Sequence, residues 1–152
     1  MALTNKEKAY IEDNLNAEYL CIRKYEQYAS IAADPQLKQM FTDLANKEHE
    51  HADTLKGMLA GSNITSQNIF ESYTSPTGDQ SNIQSSLGIT DAQLLNDALA
   101  TEKHVSSTYN TSVLESMDPN IRQQLQHIQK EEQEHAETLF NAMHSRGWYK
   151  VD

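Results

Sequence analysis

The sequence predicts an all-α protein built from four long helices, arranged as two antiparallel hairpins joined by a long crossover linker in a single domain spanning 1–152. Three observations predict it. Apolar residues recur at three- and four-residue steps through four stretches, and no strand-like alternation of useful length appears. Asp34-Pro35 and Asp118-Pro119 cut those stretches into two pairs with almost no loop between partners. The chemistry of residues 11–59 also recurs 84 positions later, Glu18 as Glu102, Tyr25 as Tyr109, Glu48 as Glu132, His51 as His135 and Leu55 as Leu139. That offset reads as an internal duplication.

The first helix, about 5–33, opens on the capping box Thr4-x-x-Glu7, in which side chain and backbone satisfy each other reciprocally. The second, about 35–60, starts with Asp34 as N-cap and Pro35 at N1 and stops before Gly61, a residue suited to the left-handed C′ position. The third, about 91–117, opens on Thr90-x-x-Gln93, and the fourth, about 119–146, runs from Asp118-Pro119 to Gly147. The linker over 61–90 is rich in Ser, Gly and Asn and exceeds the roughly 2–8 residues that usually join bundle helices. A helix of this size is about 40 Å long, whereas 30 extended residues reach about 100 Å. The linker can therefore run the length of the bundle, with Ile64, Ile69, Phe70 and Tyr73 to pack with, and crossover topology accounts for its length.

The inward faces carry the chemistry. Ile11, Leu15, Glu18, Ile22, Tyr25, Ala29 and Ala32 share one face of the first helix, and Leu37, Phe41, Leu44, Glu48, His51, Leu55 and Met58 one face of the second. Leu95, Leu99, Glu102, Ser106, Tyr109 and Val113 do the same in the third. Ile121, Leu125, Ile128, Glu132, His135, Leu139 and Ala142 follow in the fourth. Four glutamates and two histidines thus occupy core positions flanked by apolar residues. A lone Glu plus a Glu-x-x-His from each half is the ligand inventory of a two-metal carboxylate site. Four facing carboxylates would cost several kcal/mol each if buried bare, against a domain stability of about 5–15 kcal/mol. Two divalent cations remove that penalty. Hard oxygen donors with one imidazole per ion suit Fe²⁺, Mn²⁺ or Zn²⁺, and iron is the expected metal. The six expected ligands are Glu18, Glu48, His51, Glu102, Glu132 and His135.

Tyr25 and Tyr109, two turns beyond the lone glutamates, are expected to hydrogen-bond a ligand or to act as redox-active tyrosines. His49, His104, His127 and His144 fall off the inward faces and read as surface residues. Glu50, Glu131 and Glu134 read as a solvated acidic face, and Cys21 as a buried, inert thiol. A net charge of −10 argues against nucleic acid and anionic lipid as partners. No run of about 18 apolar residues exists, so no membrane span is expected. MALTNKEKAY has no apolar core of a secretory signal, and the single cysteine suits a reducing compartment, so the expected location is cytoplasmic.

The ligand constellation resembles the ferritin-like superfamily of di-iron carboxylate proteins, with the two-histidine set of bacterioferritins, rubrerythrins and manganese catalases. The resemblance implies a ferritin-like four-helix bundle in which Glu48 and Glu132 bridge two ions, Glu18 and His51 hold one, and Glu102 and His135 hold the other. Val105 stands where rubrerythrins carry an additional glutamate. The C-terminal half, ending in His144-Ser145-Arg146-Gly147-Trp148-Tyr149, resembles the Coat F family of spore coat proteins. Trp148 and Tyr149 are expected to fold back as an aromatic plug or to contact a partner. Two functions follow from these resemblances. One is an iron or manganese oxidoreductase of peroxidase, catalase or ferroxidase type, acting on O₂ or hydrogen peroxide. The other is a structural spore-coat protein with a structural or vestigial metal site, acting as a homodimer or in a coat assembly.

Overall fold

A computed structural model describes residues 2–61, 73–74 and 78–152. Those residues form five helices and no strand: α1 (Asn5–Ile31), α2 (Pro35–Leu59), α3 (Ser81–Leu87), α4 (Asp91–Glu115) and α5 (Pro119–Ser145). Both capping boxes are present, and Asp34 and Asp118 each accept from the backbone N–H two residues on, with proline in the first turn. The four long helices stop one or two residues short of their expected ends. Asp34 is extended (ψ 120°), because a residue preceding proline is pushed out of the helical region, and the chain has already left the helix at Ala32 (ψ 143°). At the other end, Gly147 takes φ +73° and closes α5 in a Schellman motif, its N–H donating to His144 and that of Trp148 to Met143.

The helices pack in pairs. α1 lies antiparallel to α2, with Tyr25 stacked on Phe41 near one end and Lys56 over the Tyr19 ring further along. α4 pairs with α5 in the same way. The two pairs meet chiefly through α1 and α4. Lys24 bonds Asp97 and Thr101, while Asn14 donates to Ser112. α2 meets α5 more narrowly, around Lys47–Glu131 and Asp34–Arg146. α4 begins beside the α1–α2 turn, since Asp91 accepts from Ala33 N (2.9 Å) and Asp34 N (3.0 Å). Its start therefore lies at the end of the molecule opposite to Leu59.

The chain between the pairs differs from a plain linker. It contains α3, which the composition of 61–90 did not predict. A seven-residue helix is marginal alone, and tertiary anchors hold this one. Asp79 caps Ser81 N (2.8 Å), the buried Gln84 donates to Asp91 (2.6 Å), and Gly88 closes the helix at φ +67°. Before it, Tyr73 sits under Arg23 and the Gln80 N–H donates to Ser30, so both residues lie against α1. Ile64, Ile69 and Phe70 lie outside the described residues.

One hydrophobic core links all four long helices. The expected inward residues are buried, except that Ala29, Met58, Ser106, Ile121 and Ala142 are only half-buried. Tyr149 packs edge-on against Phe140, whereas Trp148 remains 41% exposed beside Arg146. Only one of the two tail aromatics folds back.

Candidate metal centre

Midway along the core the four long helices each point carboxylates at the same place. On α2 the three-residue step from Glu48 to His51 puts both side chains on one face, and Glu132 and His135 repeat this on α5. Glu18 and Glu102 come from α1 and α4. All four glutamates are fully buried, and His51 and His135 nearly so. Ligand atoms of Glu18, Glu48, His51 and Glu132 lie within 4.8 Å of one another, as do those of Glu48, Glu102, Glu132 and His135. All six expected residues are thus brought together. Glu48 and Glu132 belong to both groups.

Each imidazole turns Nδ1 inward. His51 Nδ1 lies 3.0 Å from Glu132, 3.3 Å from Glu48 and 3.7 Å from Glu18. His135 Nδ1 lies 2.7 Å from Glu48, 3.4 Å from Glu132 and 3.5 Å from Glu102. The two rings stack with centroids 5.7 Å apart. The tyrosines brace the lone glutamates across the molecule. The Tyr25 hydroxyl donates to Glu102, and the Tyr109 hydroxyl donates to Glu18. Each therefore holds the glutamate of the other half, not the one on its own helix.

The electrostatics are those of a centre short of positive charge. Burial drives the carboxyls of Glu18 and Glu102 well above the ordinary range, and neighbouring carboxylates add to the rise. Burial pushes Glu132 the same way, but hydrogen bonds from Glu102, His135 and His51 outweigh it and hold Glu132 low. Burial opposes charge on the imidazoles too, yet the surrounding carboxylates raise His51 strongly and bring His135 up to about 11. Burial likewise pushes up the Cys21 thiol and both tyrosine hydroxyls. Protons can balance the charge of this cluster, with Glu18 and Glu102 neutral and both imidazoles protonated, but they leave its hydrogen bonding incomplete. Glu18 Oε2, Glu102 Oε2 and Glu132 Oε2 are buried and accept no well-formed hydrogen bond, the nearest approach being His135 Nδ1 at 3.4 Å from Glu132 Oε2, an unusual condition for buried polar atoms. Three orphaned oxygens facing two imidazole nitrogens fit a pair of divalent cations.

Residues 90–152 match the Coat F domain. The matched segment takes in the whole of α4 and α5 and the aromatic tail, hence Glu102, Tyr109, Glu132 and His135. Glu18, Glu48 and His51 lie outside it. No curated protein and no solved structure matches the chain.

Two features escaped the sequence reading. Glu131, expected on a solvated face, has only 17% of its side chain exposed, and its Oε2 lies 3.3 Å from His51 Nε2. Its position directly before a core glutamate was the available signal. Glu7, read only as a cap, is buried and also accepts from Met117 N (2.7 Å) and Asp118 N (3.1 Å). The 84-residue offset could have exposed it, since it relates Glu7 to Asp91. His49, His104, His127 and His144 are exposed, as expected. Among the described residues, no helix is long and apolar enough to cross a membrane.

Proposed function

We propose that the chain is a ferritin-like four-helix protein, built from two duplicated hairpins, that holds two divalent metal ions in its core and serves as a spore-coat component. Glu48 and Glu132 would bridge the ions, Glu18 and His51 would complete one site, and Glu102 and His135 the other. The observation that carries the metal assignment is the set of three buried carboxylate oxygens with no partner, in one centre with two inward Nδ1 atoms. The coat assignment rests on the Coat F match. In this reading the ions replace protons as the neutralising charge and tie the two hairpins together, since each ion would draw ligands from at least three helices. The partner of the protein would be its own coat lattice or a second copy.

A redox role at the same centre is the second reading, and the two tyrosine hydroxyls on ligand carboxylates favour it. When bound, two iron or manganese ions supply a two-electron couple for O₂ or hydrogen peroxide. The chain's own contribution is positional. Tyr25 and Tyr109 fix the orientation of Glu102 and Glu18, the fully buried carboxylates exclude bulk water, and Glu131 orients His51 from outside.

The separating experiment uses protein loaded with Fe²⁺ or Mn²⁺. The structural reading expects two ions per chain, a raised melting temperature and no turnover of hydrogen peroxide or O₂. Turnover that disappears in Tyr25→Phe and Tyr109→Phe with the metal retained would establish the redox reading. Absence of bound metal in chelator-free protein would defeat both.

A further inference from the structure

The four central carboxylates have no exposed surface, so an ion arriving from solvent must pass another side chain first. A cavity of about 410 Å³ opens between α2 and α5, and His51 forms part of its wall. Glu50, Thr54, Gln123, His127, Ile128 and Glu131 complete much of the lining. His51 spans the partition. Its Nε2 faces Glu131 at 3.3 Å on the cavity side, while its Nδ1 faces Glu132 and Glu48 on the inner side. Glu131 is tied in turn to His127 and Lys47, and Lys47 is also bound to Glu50 at 2.7 Å. The ammonium of Lys47 thus lies between two carboxylates of the cavity lining. A concave surface carrying carboxylates concentrates cations and raises their rate of encounter.

Resting on the two-metal reading above, we infer that this cavity is the port through which divalent cations reach the buried centre, and that Glu131 passes them to the His51 side. Glu131 is then a positioning residue with a second duty, carrying an ion that is still partly hydrated to the partition. The 84-residue offset gives Glu131 no counterpart, because Lys47 occupies the related position. The port is therefore one-sided, and the site of Glu18 and His51 fills before that of Glu102 and His135.

Loading of metal-free protein with Co²⁺, followed by stopped-flow absorption, tests the inference, with the final stoichiometry measured by elemental analysis. Thr54→Trp fills the cavity without replacing a proposed ligand. Thr42→Trp is its control in a separate surface cavity formed by Glu26, Thr42, Ala45 and Asn46. The expected result is loading slowed at least tenfold in T54W, unchanged in T42W, and slowed severalfold in E131Q, with partial recovery in E131D. All four variants should still reach two Co²⁺ per chain. Wild-type rates in both T54W and E131Q, with two ions bound, would overturn the port and leave the two-metal centre standing. Failure of the unmodified protein to bind Co²⁺ at all would remove the centre and the port together.

Discussion

The two halves of the molecule make the same contacts in exchange, yet they differ in what lies outside the central Glu/His cluster. Tyr25 reaches Glu102 and Tyr109 reaches Glu18. Glu7 accepts from the backbone of the α4–α5 turn, and Asp91, 84 positions on, accepts from the backbone of the α1–α2 turn. Each half therefore locks the other. The symmetry breaks at the histidines. His51 leans on Glu131, whereas the position related to Glu131 on the other side is Lys47. The lesson is that the central carboxylates, imidazoles and their tyrosine braces are tied to a paired geometry, while the residues facing solvent are free to specialise.

The sharpest way to break this comparison is to remove what the halves share. Glu48→Ala or Glu132→Ala should lower bound metal from two ions to nearly none, because each residue belongs to both ligand groups. His51→Ala or His135→Ala should leave about half the metal and nearly all the helical signal. Equal losses from all four substitutions, read by elemental analysis, would mean that the two sites are not distinct.

Much of this was legible in sequence, and for a definite reason. A carboxylate at a core position of a helical seam can be recognised by its apolar neighbours one turn away, so all six cluster residues could be listed. Tyr25 was placed on the correct face, but its partner was not. Seven residues separate it from Glu18, about 10 Å along the helix, too far for a direct bond. Which glutamate lies opposite depends on how the hairpins dock, and that is not a local property. Glu131 was lost to the default that acidic runs are solvated. α3 was lost because its anchors, Gln84 on Asp91 and Gln80 on Ser30, are tertiary.

The second test compares the metal-free and loaded forms across pH. His51 and His135 are raised in the folded state, so their contribution is complete below the unfolded value of about 6.5 and is lost as pH rises toward and through the folded values, about 11 for His135. Glu18 and Glu102, also raised, lose theirs from about pH 4.3 upward. Glu132, held low, acts in the opposite sense but only in acid. The metal-free protein should therefore melt at a lower temperature at about pH 9 than at about pH 6. Loaded protein should show a flat or opposite trend, because metal binds the deprotonated ligands. Free metal at about a hundred times its Kd should add about 2.7 kcal/mol. Superimposable melts with and without metal would count against a filled centre.

A smaller effect is expected at the two turn clamps. Glu7→Ala removes a buried acceptor, strands the backbone N–H groups of Thr4, Met117 and Asp118, and should cost about 2–3 kcal/mol. Asp91→Ala strands two backbone N–H groups closer to solvent and the side-chain amide of Gln84, and should cost about 1–2 kcal/mol. Urea melts would reveal the ranking. The reverse order would show that the clamps are not equivalent in kind. Glu7 is held low, since its backbone hydrogen bonds from Thr4, Asp118 and Met117 outweigh its burial. Its contribution should accordingly be present above about pH 4.3 and fade as pH falls through its lower folded value.

The most direct measurement is anomalous diffraction at the metal absorption edge, on crystals of the protein loaded with Fe²⁺ or Co²⁺. Two peaks about 3.5–4 Å apart are expected between Glu48 and Glu132, one beside His51 Nδ1 and one beside His135 Nδ1. Metal found only at the surface, or an empty core in protein that had been offered excess metal, would contradict the two-metal centre.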